Sequence, residues 1–398
     1  MRTRSWVVGG ALTALAYGPA AGAQESLLPS TSWGAAPTFT AWHFGTPIKQ
    51  SEGSLTDVMQ FAVPLRWRTV IGERWNIDVS GAAATSSISL QDGGTTKTLS
   101  LNGLTDLKVR ATGAVAGDRV LFTGGVNLPT GTTGLNGDQT SVLSVIGAPG
   151  LRMPVAGLGL GPGATAGLVA AKESGDWALA AGGSLEVRTE YTLVQLALAN
   201  GTSLTKVTPG TALHATLGAD RPMGEGHFGL LVVSDVFTQD QITTGAPGST
   251  STTKYKLGPQ VTAVSRMDFA APGWRESGAN VALRYRSEFA DATGKSVSGS
   301  SGMYLDGSLT GIRGGATGRG IVLGADARYQ SGLTFTDALV GAAVSAVGAT
   351  VGVEIPTTSS VMRIAARGQF GQFNTGTTSS TGMGLSVVFA LAARREAR

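Results

Sequence analysis

From Trp177 to Tyr191 the chain alternates with a period of two, and its two faces differ in kind. Trp177, Leu179, Ala181, Leu185, Val187 and Tyr191 fall on one face; Ala178, Ala180, Gly182, Ser184, Glu186, Arg188 and Glu190 fall on the other. Successive strand side chains point to opposite sides, so one face is apolar and framed by a ring at each end, while the other ends in three charges. A strand of a soluble sandwich buries its apolar face and has no need of a ring at either end. A strand crossing lipid turns that face to hydrocarbon, its polar face to a wet interior, and sets rings at both interfaces.

The unit recurs. Alternating segments fall near 37–46, 57–71, 75–90, 98–116, 119–129, 158–172, 176–191, 207–222, 227–240, 253–270, 274–291, 301–316, 319–334, 341–355, 360–373 and 381–393. Every second connection is very short, as at Gly72-Glu73-Arg74, Glu173 to Asp176, Met223 to Gly226 and Ala271-Pro272-Gly273. Those between them are longer and rich in Gly, Ser and Thr: 47–56, 91–97, 130–157, 192–206, 241–252, 292–300, 335–340 and 374–380. Short turns on one side and long loops on the other are the outer-membrane pattern. The expected fold is all-β, a transmembrane antiparallel up-and-down β-barrel of about 16 strands, with 14 or 12 as alternatives. An even count returns both chain ends to the periplasm. Four of the seven tryptophans, Trp67, Trp75, Trp177 and Trp274, sit beside short turns, as an aromatic girdle requires and core packing does not.

Composition agrees. Arg2 and Arg4, the apolar stretch Trp6 to Ala16 and Ala21-Gly22-Ala23 read as a signal peptide cleaved near Ala23. The apolar stretch is well short of the ~20 residues of a spanning helix, and Pro19 interrupts it. The division is therefore 1–23 signal, 24–36 periplasmic lead or plug, and 37–398 barrel in the outer membrane of a Gram-negative-type cell. Cleavage removes two of 30 basic residues and none of 26 acidic ones, leaving a net charge of +2. That balance argues against nucleic acid as a partner. Cysteine is absent, which excludes thiol chemistry and disulfide scaffolds. Glycine is abundant, 59 residues of 398, without the period of collagen, and 42% hydrophobic content excludes a disordered chain.

The face opposite lipid is polar. It holds Gln60, Arg66 and Arg68; Asp106, Lys108, Arg110 and Thr112; Glu186, Arg188 and Glu190; Lys256, Gln260, Arg266 and Asp268; Asn280, Arg284, Arg286 and Glu288; and Asp306, Asp326, Arg328, Gln330, Arg363, Arg367 and Gln369. These are candidates for lining a lumen and meeting a permeant. Mutual neutralisation, such as Arg188 between Glu186 and Glu190, is the competing role. The sum leans basic, which favours anions if the lumen is open. The stretch Thr130 to Gly157 is too apolar for a solvated loop, with Val142, Leu143, Val145, Ile146, Leu151, Met153 and Val155. It predicts a short helix over Asp138 to Ile146 with Asp138 as N-cap. Either Val142, Leu143, Ile146, Leu151 and Met153 enter the barrel and constrict it, or the loop packs on the outer rim.

The segment G-G-V-N-L-P-T-G-T-T-G-L, Gly124 to Leu135, resembles outer-membrane transporter barrels associated with phenol meta-cleavage pathways and, more distantly, the long-chain fatty-acid transporter barrels. The resemblance implies passive uptake of hydrophobic or aromatic compounds, with a plug near the N-terminus. The chain departs from the usual aromatic C-terminus: Phe389 is followed by Ala390 to Arg398.

Catalysis is disfavoured. His43, His214 and His227 are the only histidines, and no G-x-S-x-G elbow, H-E-x-x-H motif or carboxylate-rich calcium loop is present. No cofactor or metal is expected. The expected partners are outer-membrane lipid, the barrel-assembly machinery and a small permeant. The alternatives are a structural or adhesive barrel and an outer-membrane hydrolase.

Overall fold

Backbone amides that enter hydrocarbon must pair with other backbone groups, and here the pairing runs in a ring. The computed structural model describes residues 33–393 apart from 51, 72–73, 116–118, 199–200, 247, 315–317, 332–341, 358 and 376–377. The expected signal, the lead up to residue 32, the loop 335–340 and Arg394-Arg395 lie outside the described residues.

Sixteen antiparallel strands form the wall. They are β1 (Trp33–Ala35, resuming as Thr38–Gln50), β2 (Gly53–Ile71), β3 (Trp75–Asp92), β4 (Thr95–Leu104, resuming as Leu107–Ala114), β5 (Val120–Leu128), β6 (Gly163–Ser174), β7 (Trp177–Arg188), β8 (Ala212–Met223), β9 (Gly226–Phe237), β10 (Gln260–Asp268), β11 (Trp274–Arg286), β12 (Gly302–Gly314), β13 (Gly320–Gln330), β14 (Ala343–Pro356), β15 (Ser360–Asn374) and β16 (Ser379–Ala393). Each pairs with its neighbours in sequence, and β1 closes the ring by pairing with both β2 (Phe39↔Phe61) and β16 (Phe39↔Val387). Each of the sixteen alternating segments has its strand.

Two wall strands are interrupted. β1 breaks at Ala36-Pro37, where proline has no N–H to give, but Ala36 donates to Pro64 and Phe389 donates to the Pro37 carbonyl. Trp33–Ala35, placed by sequence in the periplasmic lead, pair with Leu65 to Trp67 and with Leu391 and Ala392, so among the described residues the wall begins at Trp33. β4 breaks at Thr105-Asp106, and this break frees Asp106 to turn inward.

Several expected loops are strand instead. β1 and β2 meet directly at residues 50 and 53, and β3 and β4 turn through Gly93 and Gly94, both at positive φ. The stretches 192–206 and 241–252 lie largely in four further strands, Tyr191–Leu198, Gly201–Thr208, Gln239–Ala246 and Ser249–Lys256. These form a separate antiparallel sheet that continues β7 to β10 beyond the wall. Their threonines and serines read as loop by composition, yet threonine is a good strand former when its neighbours pair. Residues 129–162 remain as the long insert, with helix α1 (Gly137–Ile146) and a 3₁₀ turn at Pro149–Leu151. The N-cap of α1 is Asn136, whose side chain bonds Gln139 in a capping box; Asp138 falls in the first turn.

Leu65, Leu168, Leu217, Leu309, Val351, Phe370 and Met383 point outward and are exposed, as a lipid-facing belt requires. At the short-turn end the belt is rimmed by rings. Trp33 lies opposite Trp67, Trp75 packs edge-on to Phe122 at 6.3 Å, and Trp177 packs edge-on to Phe228 at 6.3 Å. Tyr285 and Tyr329 are exposed near the other end. Such a wall is an outer-membrane barrel. Leu217 lies outward in mid-strand and is 62% exposed. Leu217→Arg is expected to lower stability by ~2–4 kcal/mol in urea unfolding from lipid vesicles, and Leu217→Val to change it little.

Candidate functional site

The inward faces of β1 to β4, β14 and β15 are apolar at their outer ends. They carry Trp42, Phe44 and Ile48, Leu55 and Val58, Ile88 and Leu90, Leu99 and Leu101, Val344, and Phe373, all buried. Facing water, this surface would be costly. The insert 129–162 covers it. Leu135, Val142, Val145, Ile146, Ala148, Leu151, Met153, Val155 and Leu158 join the same cluster, with Leu143 packed at its edge. The loop therefore lies inside the barrel, not on its rim. Trp42 and Phe44 both meet Phe373 edge-on, at 5.6 and 5.2 Å. The Trp42 indole lies against Gly384, where a Cβ would come within 2.8 Å of the ring.

Beyond α1 the loop has little regular structure, so wall side chains satisfy its backbone. Trp42 Nε1 donates to the Leu151 carbonyl at 3.0 Å. Gln60 donates to the Val155 carbonyl and accepts from the Val155 N–H, both at 2.8 Å. Arg328 donates to the Gly150 carbonyl at 3.0 Å and to Gln369 at 2.8 Å, with its guanidinium 5.4 Å above the Trp42 ring. Both ends of the insert are tied to one carboxylate: Asp106 accepts from Gly131 at 2.9 Å and from Leu160 at 2.7 Å. Gly131 and Gly159 pass so closely that a Cβ on Gly131 would sit 2.5 Å from the Gly159 Cα.

The far end of the loop is held by charge. Arg152 adopts a left-handed backbone, φ 51°, alone among the described non-glycine residues. Its guanidinium reaches Asp306 at 3.0 Å and Asp326 at 3.5 Å, and Arg367 grips both oxygens of Asp326. Tyr304 donates to Asp306 at 3.2 Å. Arg152 was missed in the sequence reading. Its signal was available: it is the single charge between Asp138 and Lys172.

The opposite wall, β4 to β11, is polar and carries Lys108, Arg110, Glu186, Arg188, Arg284 and Arg286, together with His214 and Asp235. Glu186 is held by Arg188 at 2.6 Å. His214 gives Nδ1 to Asp235 at 2.7 Å and turns Nε2 toward Glu186 at 3.8 Å. Both ring nitrogens thus face carboxylates and neither is offered to Ser184, the residue opposite His214 on β7. Gln260 donates to the second oxygen of Asp235 at 3.0 Å. Arg284 stacks over Tyr304 at 5.6 Å.

Near the short-turn end a cavity of about 420 Å³ is lined by Arg266, Trp274, Arg275, Asn280, Thr310 and Arg363 among others. At a bulge beside Arg275 its side chain reaches past β12 and β13 to Glu354, which Arg363 also binds. Arg66 and Arg68 share Asp78, at 3.0 and 3.8 Å. Two candidates stand apart from the lumenal band. Glu190 lies in the gap between β7 and the outer sheet and pairs with Lys206 at 2.9 Å. Glu288 lies in the 287–301 loop and accepts from Gly299 at 3.0 Å.

No family model matches this sequence, and no curated protein matches it. Among solved structures it is similar to a deletion mutant of the TodX monoaromatic hydrocarbon channel (8% identity, 95% of this chain and 93% of that one, TM-score 0.46). It is also similar to the CymD monoaromatic hydrocarbon channel (10%, 96% and 92%, 0.42) and to an outer-membrane channel from Pseudomonas putida F1 (8%, 91% and 96%, 0.36).

Removing Arg152 leaves Asp306 and part of Asp326 buried without their cation. Arg152→Ala is expected to weaken loop docking by ~3–5 kcal/mol. The check is faster proteolysis between residues 137 and 158 in the refolded barrel, partly reversed by adding Asp306→Asn.

Proposed function

We propose that this barrel is a passive channel through which small solutes, hydrophobic and aromatic ones included, cross the outer membrane beside the inward-folded loop. The observation that carries the reading is the division of the lumen. Sixteen strands enclose more space than wall side chains fill, and the insert takes up the part bounded by β1 to β4, β14 and β15. What it leaves is bounded by the polar wall on one side and by the loop on the other. Within this reading the lumenal candidates meet the permeant or brace the wall around it, and Val142, Leu143, Ile146, Leu151 and Met153 set the width of the constriction from behind.

A second reading has its own support. The four-stranded outer sheet exposes Thr202, Ser249, Thr250, Ser251 and Thr252, a surface that a barrel with an adhesive role would present to a partner. Conductance separates the two.

The Thr132 carbonyl accepts from the Gly159 N–H at 3.0 Å, so the loop can be excised at its neck. Refolded protein in a planar bilayer is expected to show small stepwise conductance. Replacing residues 133–158 with two glycines should raise it severalfold. No conductance in either form, with no liposome uptake of an aromatic solute, would sink the channel reading and favour the adhesive one.

A further inference from the structure

Cations inside this barrel fall into two classes. On the loop side and at the short-turn end these are paired with carboxylates: Arg152 with Asp306 and Asp326, Arg367 with Asp326, Arg275 and Arg363 with Glu354, Arg66 with Asp78; Arg328 is held instead by the Gly150 carbonyl, Gln369 and the Trp42 ring. On the wall opposite the loop Arg188 is paired with Glu186, but three other cations are not paired. Among the described residues, Lys108, Arg284 and Arg286 have no carboxylate within 4.0 Å. The carboxylates nearby are already engaged, Glu186 by Arg188, Asp235 by His214 and Gln260, Asp106 by the Gly131 and Leu160 amides, and Asp240 by the Gly210 amide.

Register shows how these groups are gathered. Lys108 lies opposite Asn127, Asn127 opposite Gly163, and Gly163 opposite Arg188, so one row runs from β4 to β7. Neighbouring rows run Arg110–Gly125–Thr165–Glu186 and Ser184–His214–Asp235–Gln260–Arg286. The glycines have a purpose here. A Cβ on Gly125 would come 2.9 Å from Arg110 Cγ, and one on Gly163 would come 3.1 Å from Arg188 Cγ. Both arginines therefore lie flat across bare backbone, drawing their charges together over β5 and β6. A further charge, Lys108, stands beside them.

We propose that this wall is a binding path for small organic monoanions, carboxylates with an apolar body, with Lys108 as one station, flanked by Arg110 and Arg188, and Arg284 and Arg286 as the next. The proposal rests on the channel reading and names its substrate class. Charge complementarity selects the carboxylate: an anion gains charge-assisted hydrogen bonds that the protein's own acids do not supply. The apolar body matches the loop, on which Ala156 and Leu160 are exposed. Each station is incomplete enough to be left again, which conduction demands.

The test uses the whole refolded protein in a planar bilayer under a potassium chloride gradient. The reversal potential is expected to lie on the chloride side. Benzoate is expected to block or carry current at concentrations severalfold below those at which its neutral analogue benzyl alcohol has any effect. High salt should weaken the benzoate effect, because exposed charges are screened. Lys108→Gln and Arg286→Gln, with folding checked by circular dichroism, should each reduce anion preference severalfold, and Lys108→Glu should reduce it further. The wild-type measurements stand even if a variant does not fold. A conducting wild-type protein with no anion preference, or with benzoate and benzyl alcohol equivalent, overturns this proposal and leaves the channel reading intact. Chloride preference without benzoate preference overturns the organic-anion assignment. A protein that never conducts removes both.

Discussion

Lipid offers no hydrogen bonds, so every backbone group in the wall must find its partner in the next strand. That requirement closes the sheet, and closure makes the alternation of side chains strict. Once β16 pairs with β1, each residue is either in or out, and a one-residue slip would put a charge in hydrocarbon. The two wall breaks respect this. At Ala36-Pro37 and Thr105-Asp106 the lost ladder bonds are replaced by local ones, including Thr105 exchanging bonds with both backbone groups of Ala82.

The second organising fact is an apolar patch on what should be a wet face. Val58, Ile88, Leu99, Trp42 and Phe373 point inward, where lumen water would meet them. The insert 129–162 resolves this by acting as an internal core, and the same burial gives the loop a fixed place. Fully burying each such side chain favours docking by ~1.5–3 kcal/mol, so the patch outweighs any one polar tether. The tethers supply position instead. Asp106 holds the neck, Gln60 and Trp42 hold the middle, and Arg152 holds the far end against Asp306 and Asp326.

Charge is distributed to match. Arg152 and Arg367 are ion-paired where the loop and wall exclude water, since an isolated buried charge is expensive. Lys108, Arg284 and Arg286 lie on the wall that the loop leaves open. This separation is a property of the folded molecule: Arg328 and Arg286 look alike in sequence and neither has an ion pair among the described residues, yet one is buried over Trp42 and bonded to Gly150 and Gln369 while the other is half-buried on the open wall.

The sequence alone determined the class of fold, pointed to sixteen wall strands with 14 or 12 left open, and marked the lipid face. All follow from a period of two and from the cost of charge in lipid, and both are local. Tertiary structure alone decided three things. Thr- and Ser-rich segments near 192–206 and 241–252 became an outer sheet because a partner strand was at hand, and composition does not record partners. Residues 130–157 went inside because distant strands offered a matching apolar surface. Arg152 became a tether because Asp306 and Asp326, more than 150 residues away in sequence, face it across the lumen. Local pattern sets which way a side chain points; only closure of the ring sets what it points at.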